Sequence, residues 1–180
     1  MKAKPSKHAG GVVLELEDRD EQILRSAAAG PFQIKRILVP IDYSECATKA
    51  LRYAIPLARQ HGATIDLIHV ISSPAYGYGE YGAIAMEPDP LPGSKKALQD
   101  LAETEIPPDV PFSIEVRMGV AHLEISQFAR TEAADLIVIS THGYTGLKHV
   151  LLGSVAEHVV RYAPCPVLVV RVQEREFVRN

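Results

Sequence analysis

From Ile34 onward the chain repeats one pattern, a short apolar run with little polar alternation followed by a longer stretch whose apolar residues recur at helical spacing. The runs are Ile37-Leu38-Val39, flanked by Arg36 and by Pro40-Ile41, and then residues 64–70, 112–118, 135–139 and 167–170. Helices are predicted over about 45–60, 94–103 and 121–132, and again over 155–161. Ser44 is a natural N-cap for the first helix and Gly62 a natural stop, whereas Pro56 inside it should remove one hydrogen bond and bend it. Ile125, Phe128 and Ala129 sit at the spacing of one buried face. Apolar strands separated by helices imply an α/β fold: an open, five-stranded parallel sheet with helices on both faces, Rossmann-like in kind.

Two segments fall outside this alternation. Residues 1–33 read as an N-terminal extension, with a short strand at Val12-Val13-Leu14-Glu15-Leu16 and a short helix over 22–29 that Asp18 and Glu21 introduce at capping-box spacing. The 72–93 stretch is long and rich in Gly, Pro and Tyr, and is expected to be a mobile loop; Tyr76, Tyr78 and Tyr81 could instead cover a ligand or line a subunit contact. The expected organisation is thus an extension at 1–33, a domain at 34–173 and a tail at 174–180.

Composition narrows the function. At 180 residues, 47% hydrophobic and 23% charged, the chain can bury one ordinary core, and no apolar run is long enough to span a membrane. A formal charge of -3 argues against a broad nucleic-acid footprint, and the five acids and five bases of the extension cancel. The basic start lacks the apolar core of a secretion signal, so a cytoplasmic protein is expected. Cys46 and Cys165 have neither metal-type nor redox spacing and read as buried structural thiols.

The candidate chemistry lies between the 135–139 run and the helix that follows. Ser140-Thr141-His142-Gly143 and, after nine intervening residues, Gly153-Ser154 place tight turns at a strand-to-helix junction. Glycine lets backbone N–H groups approach an anion, and the first helical turn offers unpaired donors and a positive dipole end. Ser154 adds a hydroxyl and is a good cap. A Gly-Ser pair alone would be an ordinary helix start; with the other glycine and the strand before it, the segment favours phosphate. His142 has no acid partner at catalytic spacing, and with His149 and His158 it makes no metal pattern. Lys148 and Arg161 could stabilise phosphate charge, although exposed helix-face bases are commoner.

From about residue 33 to 172 the chain closely resembles the universal stress protein family. The resemblance is carried by Val39-Pro40-Ile41-Asp42 followed by Ser44, by His69-Val70, and by a closing segment that runs from Asp135-Leu136-Ile137-Val138 through Leu152-Gly153-Ser154-Val155 to Ala163-Pro164-Cys165-Pro166-Val167. It implies a sheet in the order 3-2-1-4-5, with a ligand crevice at the switch point between the first and fourth strands. In the ATP-binding branch, the resemblance places Pro40, Ile41 and Asp42 at the adenine and ribose and Val70 beside the base, with Ile139 and Ser140 next. Gly143, Gly153, Ser154 and Val155 would hold phosphates through backbone amides and the serine hydroxyl. The family's phosphate pattern begins with glycine where this chain has Ser140, a change that could narrow the site or favour a shorter nucleotide. A turn carboxylate is the competing role for Asp42.

The resemblance implies an ATP- or AMP-binding stress-response sensor or regulator without efficient catalysis, and admits a magnesium ion beside the phosphates with Asp42 or water as ligand. It also implies a homodimer through the fifth strand, and an unidentified protein partner could read the surface. The alternatives are a slow ATP hydrolase or phosphotransfer enzyme, for which no Gly-Lys-Ser/Thr ending and no evident base are present, and a ligand-free dimeric interaction module.

Overall fold

The computed structural model describes residues 2–5, 12–15, 33–72, 91–141 and 152–171. The predicted 22–29 helix, the three loop tyrosines, His142, Gly143, Lys148, His149 and the 174–180 tail lie outside the described residues. The chain forms two compact units, Met1–Gln33 and Ile34–Asn180. In the first, strand β1 (Lys2–Pro5) pairs antiparallel with β2 (Val12–Glu15), Lys2 opposite Glu15 and Pro5 opposite Val12.

The second unit runs β3 (Arg36–Pro40), α1 (Glu45–His61), β4 (Thr64–Ile71), α2 (Leu91–Glu105), β5 (Phe112–Met118), α3 (Ala121–Thr131), β6 (Leu136–Ser140), α4 (Ser154–Tyr162) and β7 (Val167–Val170). All five strands are parallel, in the order β5-β4-β3-β6-β7, which is the order 3-2-1-4-5 within this unit. Central β3 shows why its run lacks polar alternation: Ile37 and Val39 pack toward α1 and α2, Leu38 packs toward α3 and α4, and all three have no exposed surface.

The helix boundaries follow local chemistry. Ser44 caps α1 by accepting from the Ala47 amide at 3.1 Å, and Gly62 ends the helix in the left-handed conformation (φ 65). The helix continues through Pro56, which faces solvent, where water can serve the carbonyl its ring deprives of a partner. Helix α2 starts at Leu91, earlier than the predicted 94, with Pro92 in the first turn, where no intrahelical amide bond is needed. Gly119, between β5 and α3, has φ 153, and a Cβ there would come within 2.9 Å of the Glu124 carboxylate.

At the amino ends of the strands, the completely buried Asp66 takes a two-pronged bond from Arg36, Nε to Oδ2 at 2.8 Å and Nη2 to Oδ1 at 3.0 Å. Ser113 Oγ donates to Asp66 Oδ1 at 2.7 Å, and Glu132 lies 3.2 Å from the same guanidinium. Asp135, predicted as the start of the fourth strand of the sheet, instead precedes it and accepts from the Lys35 and Arg36 amides at 2.7 and 3.0 Å. Strands β3, β4 and β5 and the connection between α3 and β6 are thereby fastened at the end of the sheet opposite the candidate site.

Candidate functional site

Strand β3 leads through α1 to β4 on one side, while its neighbour β6 leads through α4 to β7 on the other. The connections leaving their carboxyl ends diverge, and the divergence opens a crevice. Its volume is about 170 Å³, and Pro40, Ile41, Asp42, Val70, Ile139, Ser140, Gly153, Ser154 and Val155 all line it. The structure therefore brings together nine of the ten residues singled out in the sequence; the tenth, Gly143, is outside the described residues.

The wall from β3 is held by main-chain bonds to β4. The Ile41 amide donates to the Ile68 carbonyl at 2.8 Å, extending a pairing whose last register pair is Pro40 with Ile68. Asp42 follows, and its Oδ1 accepts from the Ser44 amide at 3.0 Å and from Ser44 Oγ at 2.6 Å. Asp42 is thus both a turn carboxylate and a crevice residue, roles that the sequence left as alternatives.

The opposite wall is the end of β6 and the start of α4. Ser140 belongs to β6, one residue beyond the predicted end, because it pairs with Val170 of β7. Buried Thr141 donates its amide to the Val170 carbonyl at 2.9 Å, and its carbonyl receives the Gly153 amide at 2.6 Å. Two sequence expectations are corrected here. Gly153, not Ser154, is the N-cap of α4, and Ser154 is its exposed first residue. The Gly153 amide is also spent on Thr141, so this glycine contributes its lack of a side chain rather than a donor. The first turn of α4 instead presents the Ser154, Val155 and Ala156 amides, which have no acceptor within the helix, together with the dipole end.

Arg161, weighed as a phosphate group, pairs with Glu157 at 3.1 Å on the exposed face of α4. His158 Nδ1 lies 2.7 Å from the Ser154 carbonyl, and its ring is 4.4 Å from that of His122. Burial first, and then His158, push the His122 imidazole below its ordinary pKa. Among the described residues no group of three or more His, Cys, Asp or Glu is placed to hold a metal ion. Cys46 and Cys165 are free thiols and only half-buried, a correction to the expectation of burial. Partial burial, with Asp135 nearby, raises the Cys165 pKa.

Sequence reasoning missed the crevice residues Ala47, Ile68, Ala121, Ile125, Thr141 and Ala156. Some signals were present: Ile68 is two residues from Val70 on the same strand face, and Ala121 and Ile125 are one helical turn apart.

An open parallel sheet of this order, with a glycine-capped helix start at its switch point, defines a doubly wound α/β protein, a class in which ligands bind in the crevice beyond the strand ends. The model of the universal stress protein family matches residues 33–171, and the chain belongs to that family. It is 37% identical over 144 residues to universal stress protein MJ0531 of Methanocaldococcus jannaschii, covering 79% of this chain and 85% of that protein. The solved structure of MJ0577, from the same organism, superposes with a TM-score of 0.66 at 29% identity, covering 80% of this chain and all of that one. The universal stress protein of Archaeoglobus fulgidus in complex with dAMP shares the fold at 23% identity, with a TM-score of 0.54 and coverage of 77% of this chain and 98% of that one. No helix among the described residues is long and apolar enough to cross a membrane.

Proposed function

We propose that this protein binds an adenine nucleotide, AMP or ATP, in the switch-point crevice and acts as a nucleotide-responsive stress regulator rather than an efficient catalyst. The observation that carries the reading is the glycine-capped start of α4, whose first three residues, with amides that have no helical acceptor, line an apolar slot. Ile41, Ile68, Val70, Ile125 and Ile139 give the slot the surface a purine face needs. At about 170 Å³ it is smaller than the roughly 300 Å³ of sites that enclose a drug-sized ligand, so the base and ribose enter while the phosphates run out along α4. A magnesium ion would travel with the phosphates. Asp42, the carboxylate at the crevice, already accepts two bonds from Ser44, which suits a fixed wall better than a proton-transfer group. The dAMP complex of the Archaeoglobus protein shows that this fold admits such a ligand, and the case for this chain rests on its own residues.

Calorimetric titration with AMP, ADP and ATP tests the reading. Saturable binding with a Kd of about 1 mM or tighter is expected, and the absence of heat at millimolar ligand would sink it.

We also propose a homodimer formed through β7. That strand has a sheet neighbour only on its β6 side among the described strands, and its Val167, Leu168 and Val169 are half-buried. An apolar strand edge of this kind favours pairing with a second copy. Light scattering at working concentration should give twice the chain mass; a monomer would overturn the assignment.

A further inference from the structure

The wall formed by Ile41 and Asp42 is built on an unusual backbone. Tyr43, directly after Asp42, has φ 62, a left-handed conformation that a bulky side chain rarely adopts and that persists only where its surroundings enforce it. Two contacts do so. The Tyr43 hydroxyl donates to the Ser94 carbonyl of α2 at 3.0 Å, and its ring leans on the His69 ring with centroids 4.6 Å apart and planes at 50°. Tyr43 is 40% exposed, and the desolvation of its phenol raises the pKa of a hydroxyl that is a donor at neutral pH in any case.

His69 makes the second half of the arrangement. Its Nδ1 lies 2.8 Å from the Ile41 carbonyl. A carbonyl can only accept, so Nδ1 carries the hydrogen, as it does in one neutral tautomer and in the imidazolium. Both main-chain polar groups of Ile41 are therefore tied to β4, the amide to Ile68 and the carbonyl to the next residue, His69. Neither His69 nor Tyr43 lines the crevice, whereas Ile41 and Asp42, which the pair holds, both do.

We propose that His69 and Tyr43 are positioning residues that form a clasp behind the crevice. The imidazole pins Ile41 and supports the Tyr43 ring, the ring and its hydroxyl hold the chain in the left-handed turn, and the turn sets Ile41 and Asp42 against the base. The Ser94 contact extends the clasp to α2, so the adenine side of the crevice is coupled to a helix that does not line it. This inference rests on the nucleotide reading above.

The test uses the full chain with AMP as the probe, and compares H69N, H69F and Y43F with the wild type. In H69N the side-chain amide can stand in for the Nδ1–H donor, while the phenylalanine of H69F keeps a ring and loses the donor. H69F should weaken AMP binding about tenfold and H69N by less than about threefold, as expected when one part-buried hydrogen bond is lost or kept. In nucleotide-free protein, hydrogen exchange of the Ile41 amide should quicken about tenfold in H69F and stay near wild type in H69N. Y43F should give an intermediate loss of affinity, which keeps the test open if H69F fails to fold. Wild-type affinity and exchange in H69F, or an H69N variant no better than H69F, would overturn the clasp. If the wild type itself binds no AMP, the nucleotide reading falls, and the exchange rates in the nucleotide-free variants still decide whether the clasp holds the turn.

Discussion

Replacing Gly153 with valine is expected to cost at least about tenfold in AMP affinity while leaving the protein folded. The backbone there has φ -68 and ψ 152, an extended conformation open to any residue, so the substitution introduces no torsional conflict. What it introduces is volume, at a position that lines a cavity of about 170 Å³ and immediately precedes the Ser154, Val155 and Ala156 amides. A hydrogen bond to a charged group contributes roughly 1.5–3 kcal/mol, so displacing a phosphate from one of these amides accounts for a tenfold loss or more. Glycine is a much better N-cap than valine, so the helix start should also weaken, by roughly 0.5–1.5 kcal/mol, too little to unfold the domain. Calorimetry with AMP and a parallel thermal melt check the two halves; a variant that melts normally and binds AMP like the wild type would remove the α4 start from the site.

The largest stability effect is expected at the other end of the sheet. Arg36→Ala leaves the Asp66 carboxylate, which has no exposed surface, with only the Ser113 hydroxyl of its present side-chain partners. Breaking a buried pair by removing one partner costs about 3–5 kcal/mol, and the exposure of about a third of Arg36 screens the pair and discounts this to roughly 2–3 kcal/mol. For a chain of this size that lowers Tm by roughly 5–10 °C. Replacing the pair together, Arg36→Met with Asp66→Leu, should recover most of the loss, since the cost lies in the stranded charge rather than in the absent attraction. Thermal melts of the single and double variants measure both, and an unchanged Tm in Arg36→Ala would show that the fork contributes nothing net.

The central strands β3, β4 and β6 were legible because they are buried on two faces, which turns the sequence into an apolar run such as Ile37-Leu38-Val39, whereas edge strand β5 is only part-buried and alternates apolar with polar residues from Phe112 to Met118. Strand β1 escaped notice because Lys2-Ala3-Lys4-Pro5 has no such run; only its pairing with Val12–Glu15 makes it a strand. The start of α2 was read as loop because Leu91-Pro92-Gly93 contains the two strongest loop residues, and both are tolerated in a first turn. At the candidate site, local signals identified Gly153 and Ser154 and the family resemblance added Pro40, Ile41, Asp42 and Val155, but neither told how their polar groups are shared out. That Gly153 spends its amide on Thr141, and that His69 reaches back to Ile41, depends on contacts between segments far apart in sequence. Neighbouring capping residues also compete: glycine took the cap position of α4 and left Ser154 as the first helical residue.

The 2.6 Å bond from the Gly153 amide to the Thr141 carbonyl joins the two points at which the chain leaves β6 and returns to α4. The bond fixes the distance between the two ends of that connection. Lengthening such a connection adds only about 0.6 kcal/mol of closure entropy for each doubling. The number of residues between the two ends can therefore change while Ser140 and Ser154 keep their separation, so that the crevice walls on this side do not depend on the length of the connection.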